Sequence, residues 1–145
     1  MATASISETI NAPIDTIFKV ITEYESYPEF LPETKSAKIV GDDGNEKLVK
    51  FEIDVIKRVK YTLRIKEVHN KSMQWELEEG DLFRKNCGKW KLEGNGDSTK
   101  VTYFLEVEFK LLVPSLITKK LVGANIPAMI KSFKNRAEAL VSKGK

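Results

Sequence analysis

Between Thr3 and Ile10 polar and apolar residues alternate, the period of a strand with one face buried. Ala12-Pro13 ends that run and the period lengthens. Ile14, Ile17, Phe18 and Ile21 form the apolar stripe of a short amphipathic helix. Pro13 suits its first turn, where a missing N–H costs nothing, and Asn11 is a candidate cap. Tyr24 to Pro32 is irregular, with room for one short helical turn closed by Pro32. From residue 35 the period is two again. Lys38-Ile39-Val40 runs into a G-D-D-G-N turn, after which Val49, Phe51, Ile53 and Val55 alternate with Lys50, Glu52 and Asp54. Val59, Tyr61, Leu63 and Ile65 alternate with polar residues, as do Met73, Trp75 and Leu77 after an H-N-K-S turn. Gly88, Trp90 and Leu92 alternate with Lys89, Lys91 and Glu93. Beyond a G-N-G-D-S turn, Val101, Tyr103, Leu105, Val107 and Phe109 complete the set.

Strict alternation over successive strands joined by short turns predicts an antiparallel meander with one wet and one buried face. Past Pro114, helical spacing returns through Leu116, Leu121, Ile126, Met129, Ile130, Phe133, Ala137 and Leu140. Pro127 lies inside that run, where it kinks the helix or starts a second one capped by Asn125. The predicted order is β-α-α-β-β-β-β-β-β-α. A sheet's apolar face needs a cover, and only the C-terminal helix is long enough. The pattern therefore predicts an α+β fold, a curved antiparallel sheet wrapped around a long C-terminal helix, with two short helices after the first strand. Residues 1–145 form a single domain in this reading.

Length agrees, since 145 residues can bury a core without covalent staples. The single cysteine, Cys87, rules out an intrachain disulfide. The opening MATASISETINAP lacks the basic and apolar regions of a secretory signal, and no stretch approaches the roughly 20 apolar residues that span a bilayer. The expected location is cytoplasmic. The net charge of +3 is spread over interleaved Lys, Arg, Asp and Glu, so no DNA partner is expected.

The aromatic load is the informative feature. The buried sheet face carries Phe51, Tyr61, Trp75, Trp90, Tyr103 and Phe109, and the helix faces it with Met129, Ile130 and Phe133. Two readings are open. These residues pack into a solid core, or a strongly curved sheet gripping one helix leaves a concave space at one end. In the second reading apolar walls carry a few polar tips: the hydroxyls of Tyr61 and Tyr103 and the indole N–H of Trp75 or Trp90. That is the make-up of a small-molecule pocket. The stretch Y-P-E-F-L-P places Tyr27, Phe30 and Leu31 in a loop too apolar for full exposure, so they plug the open end or border an entrance. Arg84, beside Phe83 in the turn G-D-L-F-R, is the cation to test for a role at that mouth. The candidate ligand-cavity residues are thus Tyr27, Phe30, Leu31, Phe51, Tyr61, Trp75, Arg84, Trp90, Tyr103, Met129 and Phe133.

Nothing in the pattern suggests catalysis, a metal or a cofactor. His69 sits in a turn, and neither it nor Cys87 has companions at ligand spacing. Cys87 shares the outer phase of Lys85, Lys89 and Lys91, with no base nearby to activate it. Glu76, Glu78, Glu106 and Glu108 fall on polar strand faces, as do most of the arginines. The cluster K-N-C-G-K-W-K interleaves lysine with Trp90, a weak RNA-like signal beside acidic residues.

Several stretches together resemble the START-like, helix-grip superfamily (SRPBCC), which includes polyketide cyclases, Bet v-type plant allergens and lipid-transfer domains. They are N-A-P-I-D-T-I-F-K-V, Y-P-E-F-L-P, the spacing of Gly80, Gly88 and Trp90, V-T-Y-F-L-E-V-E-F and M-I-K-S-F-K-N-R-A. The resemblance is nearest to the coenzyme-Q-binding and ribosome-association-toxin branch, covers nearly the whole chain, and departs at Pro127. It implies a hydrophobic cavity for a lipid-like or polycyclic ligand, an isoprenoid quinone in the nearest branch. A cyclase or dehydratase, or a protein that meets ribosomes or a membrane surface, are the alternatives it implies. Burying one five-carbon isoprene unit is worth up to roughly 4 kcal/mol, and association costs roughly 4–15 kcal/mol. Two to four buried units would therefore suffice without an ion pair.

Overall fold

A computed structural model describes residues 2–54, 57–110 and 114–143. Seven strands form one antiparallel sheet: β1 (Ala2–Ile10), β2 (Thr34–Asp42), β3 (Glu46–Asp54), β4 (Arg58–Val68), β5 (Ser72–Gly80), β6 (Phe83–Asn95) and β7 (Ser98–Phe109). Their order is β1-β7-β6-β5-β4-β3-β2, a meander whose first strand returns to pair with its last. Helix α1 (Ile14–Thr22) and a 3₁₀ segment (Tyr24–Glu29) link β1 to β2. After β7 come α2 (Ser115–Thr118), two turns of π-helix (Lys119–Asn125) and α3 (Ile126–Lys143).

The two-residue period places Val49, Phe51, Ile65, Met73, Trp75, Trp90, Val101, Tyr103 and Val107 on one buried face. The lysines and glutamates between them face outward, where they form ion pairs such as Arg64–Glu78 and Lys85–Glu106. Register shifts in β2–β3, β4–β5 and β6–β7 bend the sheet. Its concave face receives α3, which presents Ile126, Ile130, Phe133 and Ala137, all buried. The first crossover is pinned by the buried Thr99 hydroxyl, which donates to the Ala12 carbonyl at 2.8 Å.

Three local expectations are corrected. Asn11 does not cap α1: Pro13 occupies that position without a side-chain bond, and the Asn11 backbone N–H donates to Glu138 at 2.9 Å. Pro127 lies in the first turn of α3, which begins at Ile126, but Asn125 does not cap a separate helix there. The preceding turns widen to π-helix, which accommodates the missing N–H and the proline ring, and the backbone stays helical through Ile126. The G-D-L-F-R segment is not all turn, because β6 already begins at Phe83. Val55 lies outside the described residues.

Gly88 is required by packing. It lies opposite Trp75 in the β5–β6 ladder. A Cβ there would sit 2.2 Å from the Phe104 carbonyl oxygen and 2.4 Å from the Trp75 ring. Backbone on one side and a packed indole on the other leave no direction of relief. Gly88→Ala is expected to destabilise the domain by about 3 kcal/mol, read as a lower denaturant midpoint. An unchanged midpoint would show that this part of the sheet yields freely.

Candidate functional site

Sheet and helix do not meet along their whole length. Between them lies a cavity of about 150 Å³, partly open to solvent. Phe51 and Ile53 of β3, Tyr61, Leu63 and Ile65 of β4, Met73 and Trp75 of β5, Phe83, Asn86 and Trp90 of β6, and Tyr103, Leu105 and Val107 of β7 form its wall. Leu121, Asn125, Ile126, Met129 and Phe133 of the C-terminal helical stretch form its roof, and Tyr24, Tyr27, Leu31, Glu33 and Thr34 complete the lining.

Nine of the eleven sequence-predicted residues line this space: Tyr27, Leu31, Phe51, Tyr61, Trp75, Trp90, Tyr103, Met129 and Phe133. Phe30 does not. It is half-buried, edge-on to Phe133 at 5.2 Å and beneath the Arg136 guanidinium at 5.1 Å. Arg136 also bonds Glu29 at 2.7 Å, so Phe30 clamps the 3₁₀ segment to α3 from outside the cavity. Arg84 is also absent from the lining. It is exposed on the outer face, donating to Glu108 and to the Lys110 carbonyl, each at 3.3 Å. The cause is the register shift between Phe83 and Lys85, which turns Phe83 inward and leaves Arg84 out. Phe109, placed on the inner face by alternation, is half-buried and stacks on Phe83 at 5.7 Å.

The polar atoms of the cavity divide into satisfied and free. The Trp75 indole N–H donates to Asn86 Oδ1 at 3.1 Å, a buried pair. The Tyr27 hydroxyl donates to the Ile21 carbonyl, which fixes the ring at the cavity wall. The Tyr24 hydroxyl donates to Glu67 at 2.6 Å, and Lys47 reaches the same oxygen at 3.0 Å. By contrast, the hydroxyls of Tyr61 and Tyr103 have no hydrogen-bond partner among the described residues, although Tyr103 is only 4% exposed. Asn125 Nδ2 is also buried without a partner. Asn86 was missed by the sequence reading. It stands in the inward phase of Gly88 and Trp90, so the signal was present.

Burial pushes the phenols of Tyr61 and Tyr103 well above the ordinary tyrosine range, so both stay protonated and act as hydrogen-bond donors. Burial does the same to Tyr24, aided by its bond to Glu67, and to Tyr27. Glu33 is the one charged residue in the lining among the described residues. The arrangement therefore suits a neutral, mainly apolar molecule carrying hydrogen-bond acceptors.

The other candidates stay outside. His69 is exposed, with its ring edge-on to Phe18 at 5.2 Å. Cys87 is half-buried on the outer sheet face. Among the described residues no three His, Cys, Asp or Glu side chains gather as a metal site. Within the basic cluster Trp90 is 2% exposed and points into the core, where no base can stack on it. Lys85 and Lys91 are paired with Glu106 and Glu93.

Two measurements probe these phenols. Tyr103→Phe removes a cavity-facing donor that has no protein partner, so the unliganded domain is expected to keep its stability to within about 1 kcal/mol. A larger loss in denaturant unfolding would reveal a hidden partner. The second is alkaline unfolding. An unfolded phenol ionises near pH 10, whereas all four tyrosines keep their protons in the fold. Above that pH the unfolded state binds fewer protons, so stability, full below pH 10, falls by up to about 5 kcal/mol per pH unit. Tyrosinate absorbance is expected to rise together with loss of circular dichroism. A tyrosinate signal that precedes unfolding would contradict the burial.

The sequence profile of the family described as polyketide cyclase/dehydrase and lipid transport matches residues 10–134. Over 145 residues the chain is 21% identical to the mitochondrial coenzyme Q-binding protein COQ10 of Dictyostelium discoideum, covering 97% of this chain and 71% of that protein. Over 141 residues it is 23% identical to the persistence and stress-resistance toxin PasT of Escherichia coli O6:H1, covering 94% of this chain and 89% of the toxin. A START superfamily protein from Mycobacterium smegmatis superposes with a TM-score of 0.85 at 26% identity, over 95% of this chain and 98% of that one. No helix among the described residues is long and apolar enough to cross a membrane. With a profile matched over most of its length and a START-like, helix-grip fold to go with it, the chain belongs to the polyketide cyclase/dehydrase and lipid-transport family.

Proposed function

We propose that this domain binds or transfers a hydrophobic small molecule, with a neutral ring-sized head in the cavity and acceptor oxygens toward Tyr61 and Tyr103. The observation that carries this is the pair of protonated, unpartnered phenols in an otherwise apolar lining. Both hydroxyls face the cavity without a protein partner, so a ligand carbonyl can take up donors that the fold leaves unused, each such bond being worth about 0.5–1.5 kcal/mol.

Volume sharpens the proposal. A space of about 150 Å³ matches an apolar cavity that takes up a benzene-sized ring, and is smaller than the ~300 Å³ at which drug-sized pockets begin. A quinone ring fits in size and supplies two acceptor oxygens and no charge. An isoprenoid tail or an acyl chain does not fit beside it within that volume and would extend through the open side. The name of the relative that binds coenzyme Q supports a quinone over other ring-bearing lipids.

The cyclase reading asks for a charged or proton-transferring pair facing the substrate. Glu33 has no cationic partner in the lining among the described residues, so binding without chemistry is favoured. The ribosome reading is weakened by the burial of Trp90 and by the ion pairs of its neighbouring lysines.

The test is a thermal shift with a short-chain benzoquinone and with a hydrocarbon of the same size lacking oxygens. At a hundredfold excess over Kd the quinone stabilises by about 2.7 kcal/mol, which for this length raises Tm by roughly 5–10 °C. The hydrocarbon is expected to do less, and the quinone preference to shrink about tenfold in Tyr61→Phe/Tyr103→Phe. Because the phenols stay protonated, affinity is expected to be flat across neutral and mildly alkaline pH. No shift with quinone or lipid, and no passenger in native mass spectrometry, would overturn the reading.

A further inference from the structure

The helical stretch that roofs the cavity has a second face. It buries Leu121, Ile126 and Ile130, and turns Leu116, Lys119, Lys120, Ala124, Pro127 and Lys131 outward at spacings of three and four. Leu116 is 75% exposed, the most exposed large apolar side chain among the described residues. The charge of this region is one-sided. Between Phe109 and Ala137 the chain has six Lys or Arg and no Asp or Glu, whereas the rest has 18 basic and 21 acidic residues. Lys134 and Arg136 pair with Glu8 and Glu29, and Lys110 donates to the Gly80 carbonyl. Lys119, Lys120 and Lys131 are exposed and have no ion-pair partner among the described residues.

We propose that this face docks on an anionic lipid surface. Lysines at a negatively charged leaflet are attracted without needing a shaped partner, and their aliphatic stems lie along the interface while the ammonium groups stay wet. Leu116 enters the headgroup boundary, and the small side chains between the lysines let the helix lie flat. The chemistry favours lipid over RNA, because the exposed stripe has no aromatic to stack on bases and no Arg to grip them. Docking brings the cavity roof, with Leu121, Asn125 and Met129 on its inner side, to the bilayer. A hydrophobic molecule then passes between membrane and cavity without crossing bulk water. That last consequence rests on the proposed binding function; the docking surface does not.

The experiment is flotation of the full chain with vesicles of phosphatidylcholine alone or with phosphatidylglycerol added. Binding is expected to require the anionic lipid and to weaken with salt. Lys119→Glu/Lys120→Glu is expected to lower the partition coefficient at least about 25-fold, at about fivefold per lysine, and Leu116→Ser to lower it several-fold. Lys50→Glu/Lys60→Glu, exposed on the outer sheet face, is expected to leave binding unchanged. All three variants should keep the wild-type circular dichroism and the wild-type response to a soluble short-chain quinone, which separates failure of docking from failure of the cavity. Equal binding to neutral and anionic vesicles, no effect of the Lys119/Lys120 reversal, or tighter binding to an RNA homopolymer than to vesicles would each overturn the proposal.

Discussion

One helix cannot fill the concave face of a seven-stranded sheet, and the molecule is organised around that mismatch. One ring of α3, Phe133, packs at once on the sheet and on the segment that follows α1. Phe133 meets Trp90 at 5.0 Å, Tyr27 at 5.2 Å and Phe30 at 5.2 Å, each close to edge-on. These rings are wide and rigid, so they fix the helix at a set distance instead of letting it settle onto the strands. The space beyond the wedge is the cavity. The first half of the same helical stretch, from Leu121 to Met129, spans it as a roof and cannot also close it.

The consequence is a fold that holds unfavourable groups in place. Two phenols open onto the cavity without a protein partner, and one amide nitrogen of the lining, Asn125 Nδ2, is buried without one; an unpaired buried group of that kind is worth about 1–3 kcal/mol of lost stability against a total of about 5–15 kcal/mol. Nearby polar groups are treated differently. Trp75 has Asn86, Tyr24 has Glu67 and Tyr27 has the end of α1. The same lining therefore satisfies the groups that hold its shape and leaves free those that face the open volume. That separation, more than apolar area, distinguishes a receptor from an imperfectly packed core.

Alternation along the chain made most of this legible. A two-residue period fixes which side chain faces inward, and Phe51, Tyr61, Trp75, Trp90 and Tyr103 all landed on the cavity wall. The period fails wherever the backbone adds a residue. The shift between Phe83 and Lys85 reverses phase within one strand, so Phe83 is inside and Arg84, a candidate for the mouth as part of the turn G-D-L-F-R, is outside. The π-helical turns ahead of Pro127 are likewise invisible in residue type, since proline signals only that an N–H is missing and not how the chain adapts. Asn86 was legible in phase but not in type, because a lone polar residue in a strand ordinarily faces water. Phe30 was recognised as too apolar to be free, but sequence cannot tell which of two apolar surfaces a side chain in a loop will choose.

The roof also shows why its own irregularity matters. A regular α-helix through Lys119–Asn125 would run straight into Pro127 with a ring clash against the carbonyl four residues back. The wider turns remove that clash, yet π-helical geometry is rarer and less well packed than α. The roof has no ion pair to the rest of the fold among the described residues, while α3 proper is held by Phe133, by Lys134 to Glu8 and by Arg136 to Glu29. A longer molecule must leave part of its length in the open side of the cavity or displace a wall. The strands are tied into ladders on both sides and resist. The roof has no ladder and carries two sides with different chemistry. The Tyr27–Leu31 stretch is tied on two sides, since the Tyr27 hydroxyl bonds the Ile21 carbonyl and the rings of Tyr27 and Phe30 pack edge-on to Phe133, whereas no strand ladder ties the segment between Ser115 and Ile126.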